Sequence, residues 1–312
     1  MAVLNPPRSL PGLGRAIVNF LIDSRRAWTE EQLVEAFKPP GLNEAATAGE
    51  GVTHTLYVLR AIELLTLDAG TVTAAGAAAR SGSALTPAGF RRALQEHVFD
   101  LARDGDPWQV GPGDVYTSGA RDLTRALSWF LAQDALGRPL SWTGNIQQLQ
   151  LAQFPDPDNE TWALTNDTRW GAFARWARAL GMASPPLVLQ APLAQSKSAL
   201  VPLPIVAIED ALEDTPAGRM PIGEFLDTLA ARIPVLHGGL IRASLTQLLP
   251  GGDPDPGIRN DCADSSVGQA LRVLEERGRL SFTTLPDADG VRLSRFDTTR
   301  QTHVTLLQGG TK

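Results

Sequence analysis

Between Ser265 and Arg295 the apolar residues change period, and that change constrains the fold more than any other feature of the chain. Val267, Ala270, Leu271 and Leu274 stand at i, i+3, i+4 and i+7, the buried side of a helix. Ser281–Leu285 and Val291–Arg295 then read as two short strands across the Gly-tipped turn PDADG. Asp264 or Ser265 is the expected cap, and Gly278 the residue just past the helix end. Residues 302–307, THVTLL, add a final strand. A helix followed by two antiparallel strands is the outline of a winged helix, a module that lays its helix in a DNA major groove. On this reading Ser265, Gly268, Gln269, Arg272 and Glu276 turn outward. Gln269 can pair with adenine and Arg272 with guanine or phosphate. Arg279, Arg292 and Arg295 then stand within reach of the phosphate backbone.

The amino-terminal stretch repeats the order. Leu13, Ile17, Phe20 and Leu21 give one helical face, and Thr29 with Gln32 offers a capping box for a second helix. Residues 51–65 read as a third helix. Leu65–Leu67, the turn Asp68-Ala69-Gly70 and Thr71–Thr73 read as a hairpin. Arg25, Arg26 and Arg60 are the candidate nucleic-acid contacts of this part. In the middle, Thr86-Pro87 opens a helix, residues 118–136 and 165–183 form two more, and 137–161 reads as a long loop. Residues 184–219 hold many prolines and the acidic cluster Glu209, Asp210, Glu213 and Asp214. The expected fold is mainly α, with small β wings. A winged-helix domain over 1–80, a Trp-rich helical domain over 81–215 and a second winged-helix domain over 216–312 make up the expected organisation.

Charge narrows the function. Lys and Arg number 28 against 34 Asp and Glu, a net charge of −6. A chain this acidic does not coat nucleic acid, so contact with DNA must come from local placement of cations. The single cysteine, Cys262, excludes an intrachain disulfide and a multi-Cys metal site, and suits a reducing cytoplasm. No run of about 18 apolar residues predicts a membrane span, and MAVLNPPRSLPG lacks the apolar core of a signal peptide. His54, His97, His237 and His303 form no H-x-x-x-H pair, and neither a P-loop nor G-x-S-x-G occurs. The GLG at 12–14 follows no strand, as a dinucleotide site requires. The carboxylates of FPDPDNE sit among prolines rather than on strands. Neither an enzyme nor a metal or cofactor is therefore expected. Trp129 and Trp176 read as core. Trp142, Trp162 and Trp170 fall near loop edges, where packing outweighs base stacking.

Two stretches carry a resemblance. LNPPRSLPGLGRAIVNFLIDSRRAWTEEQLVEAF resembles the start of the DpdG family. TRWGAFARWARALGM resembles a motif of large proteins from phage-defence loci. The DpdG family belongs to bacterial gene clusters that insert deazaguanine bases into DNA and restrict unmodified DNA. The resemblance implies a DNA-associated accessory subunit working with helicase or nuclease partners. The expected function is thus a non-enzymatic DNA-binding or adaptor subunit, with double-stranded DNA and other subunits as partners and self-association allowed. Two alternatives stand beside it: a scaffold whose winged helices bind proteins, and a transcriptional regulator sensing a ligand through the Trp-rich middle.

Overall fold

The computed structural model describes residues 2–24, 26–38, 49–111, 113–117, 119–154, 162–186, 198–251, 254 and 261–307. The described residues are mainly helical with two small antiparallel sheets. It divides into two compact units: residues 1–124 with 166–180, and residues 125–165 with 181–312.

In the first unit α1 (Pro11–Ser24), α2 (Glu30–Phe37) and α3 (Glu50–Ala61) precede β1 (Leu65–Asp68) and β2 (Thr71–Ala74). The capping box forms as the sequence predicts: Thr29 Oγ1 accepts from Gln32 N, and Gln32 Oε1 accepts from Thr29 N. Asp68 pairs with Thr71, so the turn is Ala69-Gly70. Both turn residues have positive φ, 47° and 80°. A two-residue hairpin requires this to match strand twist, and glycine supplies it without strain. Trp28 bridges Val72, whose N donates to Trp28 O at 2.8 Å. Ile17, Val18, Leu33, Leu56, Leu59 and Leu65 close the core beneath.

Next come α4 (Gly76–Ser81), α5 (Pro87–Val98) and α6 (Leu101–Asp104). Thr86 Oγ1 caps α5 by accepting from Gly89 N. His97 ties α5 to α4. Its Nε2 accepts from Ala77 N, so the proton sits on Nδ1, which donates to Ile62 O at 2.9 Å. Burial holds its pKa below the ordinary histidine value, consistent with a neutral ring. The unit is completed by α9 (Asp167–Ala179), capped by Asn166. Trp170, Phe173 and Trp176 are all fully buried there. Trp170 therefore belongs to the core, not to a loop edge. It fills the face one turn before Phe173 and stacks on it at 5.3 Å.

The second unit begins within α7 (Arg121–Leu131). The stretch expected as a loop, 137–161, instead holds a π turn (Trp142–Ile146) and α8 (Gln147–Gln153). Two of its glutamines look like loop residues but hydrogen-bond within the fold, Gln150 buried and Gln153 half-buried. Gln150 donates to Leu164 O and accepts from Leu164 N. Gln153 Oε1 accepts from Trp129 Nε1 at 2.8 Å. Trp162 is buried beside them in sequence. Residues 155–161, with most of FPDPDNE, lie outside the described residues.

There follow α10 (Ile205–Glu213), β3 (Gly218–Pro221), α11 (Ile222–Arg232), α12 (Leu240–Leu248), α13 (Ser265–Glu276), β4 (Leu280–Thr283) and β5 (His303–Leu306). The sheet runs β3-β5-β4, antiparallel throughout, with β5 central. The strand beside β4 is therefore His303–Leu306, not Val291–Arg295 as the turn PDADG suggested. Val304 and Leu306 alternate inward opposite Phe282 and Leu280, a stronger pattern than residues 291–295 can offer. Val291 and Arg292 make only isolated bridges, to Gln301 and Cys262. Residues 284–302 form an excursion from the sheet. No described helix is long and apolar enough to cross a membrane.

Candidate functional site

The amino-terminal half of α13 is covered by its own unit. Ser265 Oγ accepts from Ala135 N at 2.8 Å, and the buried Ser266 Oγ donates to Leu131 O at 2.6 Å. Gly268, expected to face outward, is buried. A Cβ at that position would stand 1.7 Å from Leu293 O. The excursion after β4 thus crosses the helix at a point where only glycine fits. The apolar period predicted the helix correctly. It missed this crossing because close backbone approach leaves no hydrophobic signature. Gly268→Ala is expected to cost about 1–3 kcal/mol by overpacking, read as a lower urea midpoint. An unchanged midpoint would mean the crossing is looser than described.

Asp264 does not cap α13 through its side chain. It is 2% exposed and pairs with Arg242, 3% exposed, at 2.9 Å. His237 Nδ1 lies 3.1 Å from its other oxygen. Burial pushes Asp264 up, but Arg242 and His237 outweigh it and hold it below the usual carboxylate value. Arg242 also bonds Thr246.

Of the arginines predicted to meet DNA, the four in this unit, Arg272, Arg279, Arg292 and Arg295, are each joined to a carboxylate of the same unit. Arg272 bonds Glu275 at 3.3 Å and Asp297 at 3.0 Å. Arg279 bonds Glu209 and Glu213, and Arg277 lies 3.5 Å from Glu209. Arg292 bonds Asp261 at 2.8 Å, and Arg300 bonds the second oxygen of Asp261. Arg292 draws the Asp261 carboxyl below its ordinary pKa. Arg295 bonds Asp134 at 2.9 Å and lies over Phe296. Gln269 is half-buried on the same helix. The acidic cluster at the end of α10 therefore has a use: Glu209 and Glu213 neutralise the arginines after α13.

In the first unit Arg25 lies outside the described residues. Arg26 stacks on Trp28 at 3.7 Å, and Arg60 pairs with Glu30. Most of the chain's acidity belongs to the second unit, which has 14 Lys and Arg against 19 Asp and Glu. The first unit has 14 against 15.

A second constellation, in the first unit, was not legible as a site. Residues 2–10 form a strap held by polar groups that converge on its backbone. Ala2, Val3 and Leu4 are buried. Asp122 accepts from Val3 N at 3.1 Å, Leu4 N at 2.8 Å and Leu123 N at 2.8 Å. Burial raises the Asp122 pKa to about 7, against the opposing pull of these donors and Arg169. Arg169 bonds Asn5 Oδ1 at 2.9 Å and stacks on Tyr116. Arg175 donates to Ser9 O and Pro7 O, and Trp176 Nε1 donates to Ser9 Oγ at 3.0 Å. The structure thus brings together LNPPRS and TRWGAFARWARALGM, the two stretches that carried the resemblance. Among the described residues no group of three or more His, Cys, Asp or Glu could hold a metal ion.

A family model described as DpdG-like matches residues 1–288. Strap, α9 and α13 fall inside the match, while Leu293–Asp297 fall outside it. No curated protein and no solved structure matches the chain.

Proposed function

We infer the function from one premise: the chain belongs to the DpdG-like family. On that premise we propose a non-enzymatic adaptor subunit of a bacterial system that modifies DNA with deazaguanine bases. In this reading both ends are winged-helix modules, and the carboxy-terminal one binds a partner protein rather than base edges. The observation that supports it is the pairing of Arg272, Arg279, Arg292 and Arg295 with carboxylates of their own unit. Affinity for a duplex comes from cations that displace condensed counterions from phosphates. A cation that already holds a carboxylate must give it up first, and the freed acid then faces the phosphate.

Beside the Arg295–Asp134 pair stand two exposed apolar side chains, Phe296 at 69% and Leu136 at 49%. Leu136 N is bonded to Asp134 Oδ1, and Arg295 lies 5.0 Å from the Phe296 ring. An aromatic anchor with a polar rim is the composition of a protein interface. The test is co-expression with the other proteins of the modification system, followed by gel filtration at high salt. A stoichiometric complex is expected, weakened about tenfold or more by Phe296→Asp, an effect of the size seen for central anchors. A gel shift that Arg272→Ala with Arg292→Ala abolishes would overturn the reading in favour of base contact by α13.

A further inference from the structure

Of the three tryptophans expected near loop edges, Trp162 and Trp170 are buried, whereas Trp142 keeps its side chain half-exposed. Trp142 opens the π turn Trp142–Ile146, which leads directly into α8. Trp142, Thr143, Gly144, Asn145, Gln147 and Gln148 line an open cleft of about 380 Å³. That size falls within the range of small-molecule sites. Every lining residue belongs to the second unit.

The backbone of this turn is firmly held. Ser141 O accepts from Gly144 N at 3.1 Å, Asn145 N at 3.1 Å and Ile146 N at 3.3 Å. Asn145 clasps the same turn, accepting from Ser141 N at 3.2 Å and donating to Pro139 O at 3.3 Å. Ile146 is fully buried, and Leu140 exchanges both backbone bonds with Leu200. The side chains that this frame presents are not used by the fold. Among the described residues Trp142 makes no ring contact. Neither its Nε1 nor the side chains of Thr143, Gln147 and Gln148 make a hydrogen bond there. A π turn is a rare element that recurs at functional sites.

Charge is missing as well as partners. Between Arg138 and Asp156 the sequence holds no charged residue, although Asp, Glu, Lys and Arg make up 20% of the chain. A cleft for a phosphate needs cations, and a cleft for an ammonium group needs carboxylates. The lining here has neither. An indole ring takes the face of a planar heterocycle. A glutamine amide takes a donor–acceptor pair on its edge.

We propose that this cleft binds a nucleobase, its ring stacked on Trp142 and its edge hydrogen-bonded by Gln147 and Gln148. The base belongs to a free nucleoside or to an unpaired nucleotide of a strand. In a duplex its pairing edge is occupied and its faces are covered, so paired DNA does not fit. The inference shares no residue with the patch around Phe296 and does not depend on the adaptor reading.

The experiment uses the full chain. Isothermal titration calorimetry is run with adenosine, guanosine, cytidine, thymidine and ribose. Fluorescence anisotropy is run with single strands of about ten nucleotides, with bases and abasic, and with the matching duplex. A nucleoside or the base-bearing strand is expected to bind, and ribose and the abasic strand are not. Nucleoside affinity should hardly change between about 50 and 200 mM salt, because no cation takes part. A nucleoside bound as tightly as the strand identifies the free molecule as ligand; a tighter strand identifies unpaired nucleic acid. Trp142→Ala should lower affinity about tenfold or more, the size of a lost stack, and Trp142→Phe should restore most of it. Gln147→Ala with Gln148→Ala, at exposed positions, should lower it about threefold or more. This pair decides the matter should Trp142→Ala fail to fold by circular dichroism. No binding of any nucleoside or strand, equal binding of the abasic strand or the duplex, or unchanged affinity in the glutamine pair would overturn the proposal. So would a Trp142→Ala chain that loses its protein partners where the parent binds no nucleoside, since the cleft would then be a protein contact. Phe296→Asp must leave base binding unchanged even where it abolishes assembly, which separates the two readings.

Discussion

Asp122→Ala is expected to lower stability by about 3 kcal/mol or more at pH 6, because it strands buried backbone donors at Val3, Leu4 and Leu123. Urea titration followed by tryptophan fluorescence reads the loss. The same carboxyl gives stability an unusual pH dependence. Its folded pKa, about 7, lies above the ordinary 3.8, so the folded chain binds this proton more tightly than the unfolded chain. Stability from this group is greatest below about pH 4, declines as pH rises towards 7 and is flat beyond. The span is at most about 4 kcal/mol, from roughly three pKa units at 1.36 kcal/mol each. Asp122→Asn keeps an acceptor and cannot ionise, so that decline should vanish. A variant whose stability still falls between pH 4 and 7 as steeply as the parent's would show that another group is responsible.

Asp264→Ala is expected to cost about 3–5 kcal/mol, because Arg242 would remain buried without its carboxylate. Replacing both, with Asp264→Leu and Arg242→Met, should recover most of that loss, since two apolar side chains carry no desolvation cost. Chemical denaturation of the single and double variants checks this, and equal losses in both would show that packing, not charge, is at stake. The pH sign is opposite to that of Asp122. The folded pKa of Asp264 is lowered, so its stability is present above about pH 4 and is lost as pH falls through the folded value. Two buried aspartates thus respond to acid in opposite directions. One is held by neutral N–H groups and the other by a guanidinium.

Local chemistry was legible wherever one turn of chain decides the outcome. The Thr29–Gln32 capping box, the Ala69-Gly70 hairpin and the Thr86 cap all involve residues within a few positions of each other. The helical period also located α9 and α13 to within a few residues at either end. What failed were decisions made at a distance. Whether β4 pairs with residues 291–295 or with His303–Leu306 depends on which stretch can also meet β3. Arg272 and Arg292 looked like free cations because Asp297 and Asp261 are 25 and 31 residues away in sequence. Gln150 and Gln153 looked like loop residues because glutamine's amide gives no sign of whether water or a backbone will satisfy it. Asp122 drew no notice because its partners are backbone N–H groups some 118 residues away, which any sequence would supply.

The strap and α9 lie at opposite ends of a long stretch of chain, and this has a consequence for biosynthesis. A ribosome delivers Asn5, Pro7 and Ser9 of the strap well before Arg169, Arg175 and Trp176 exist to receive them. From Thr124 to Leu180 the wait is roughly 3–10 s at about 5–20 residues per second. Through that interval Asn5, Pro7 and Ser9 stand without their partners, and completion of the first unit waits on the arrival of α9.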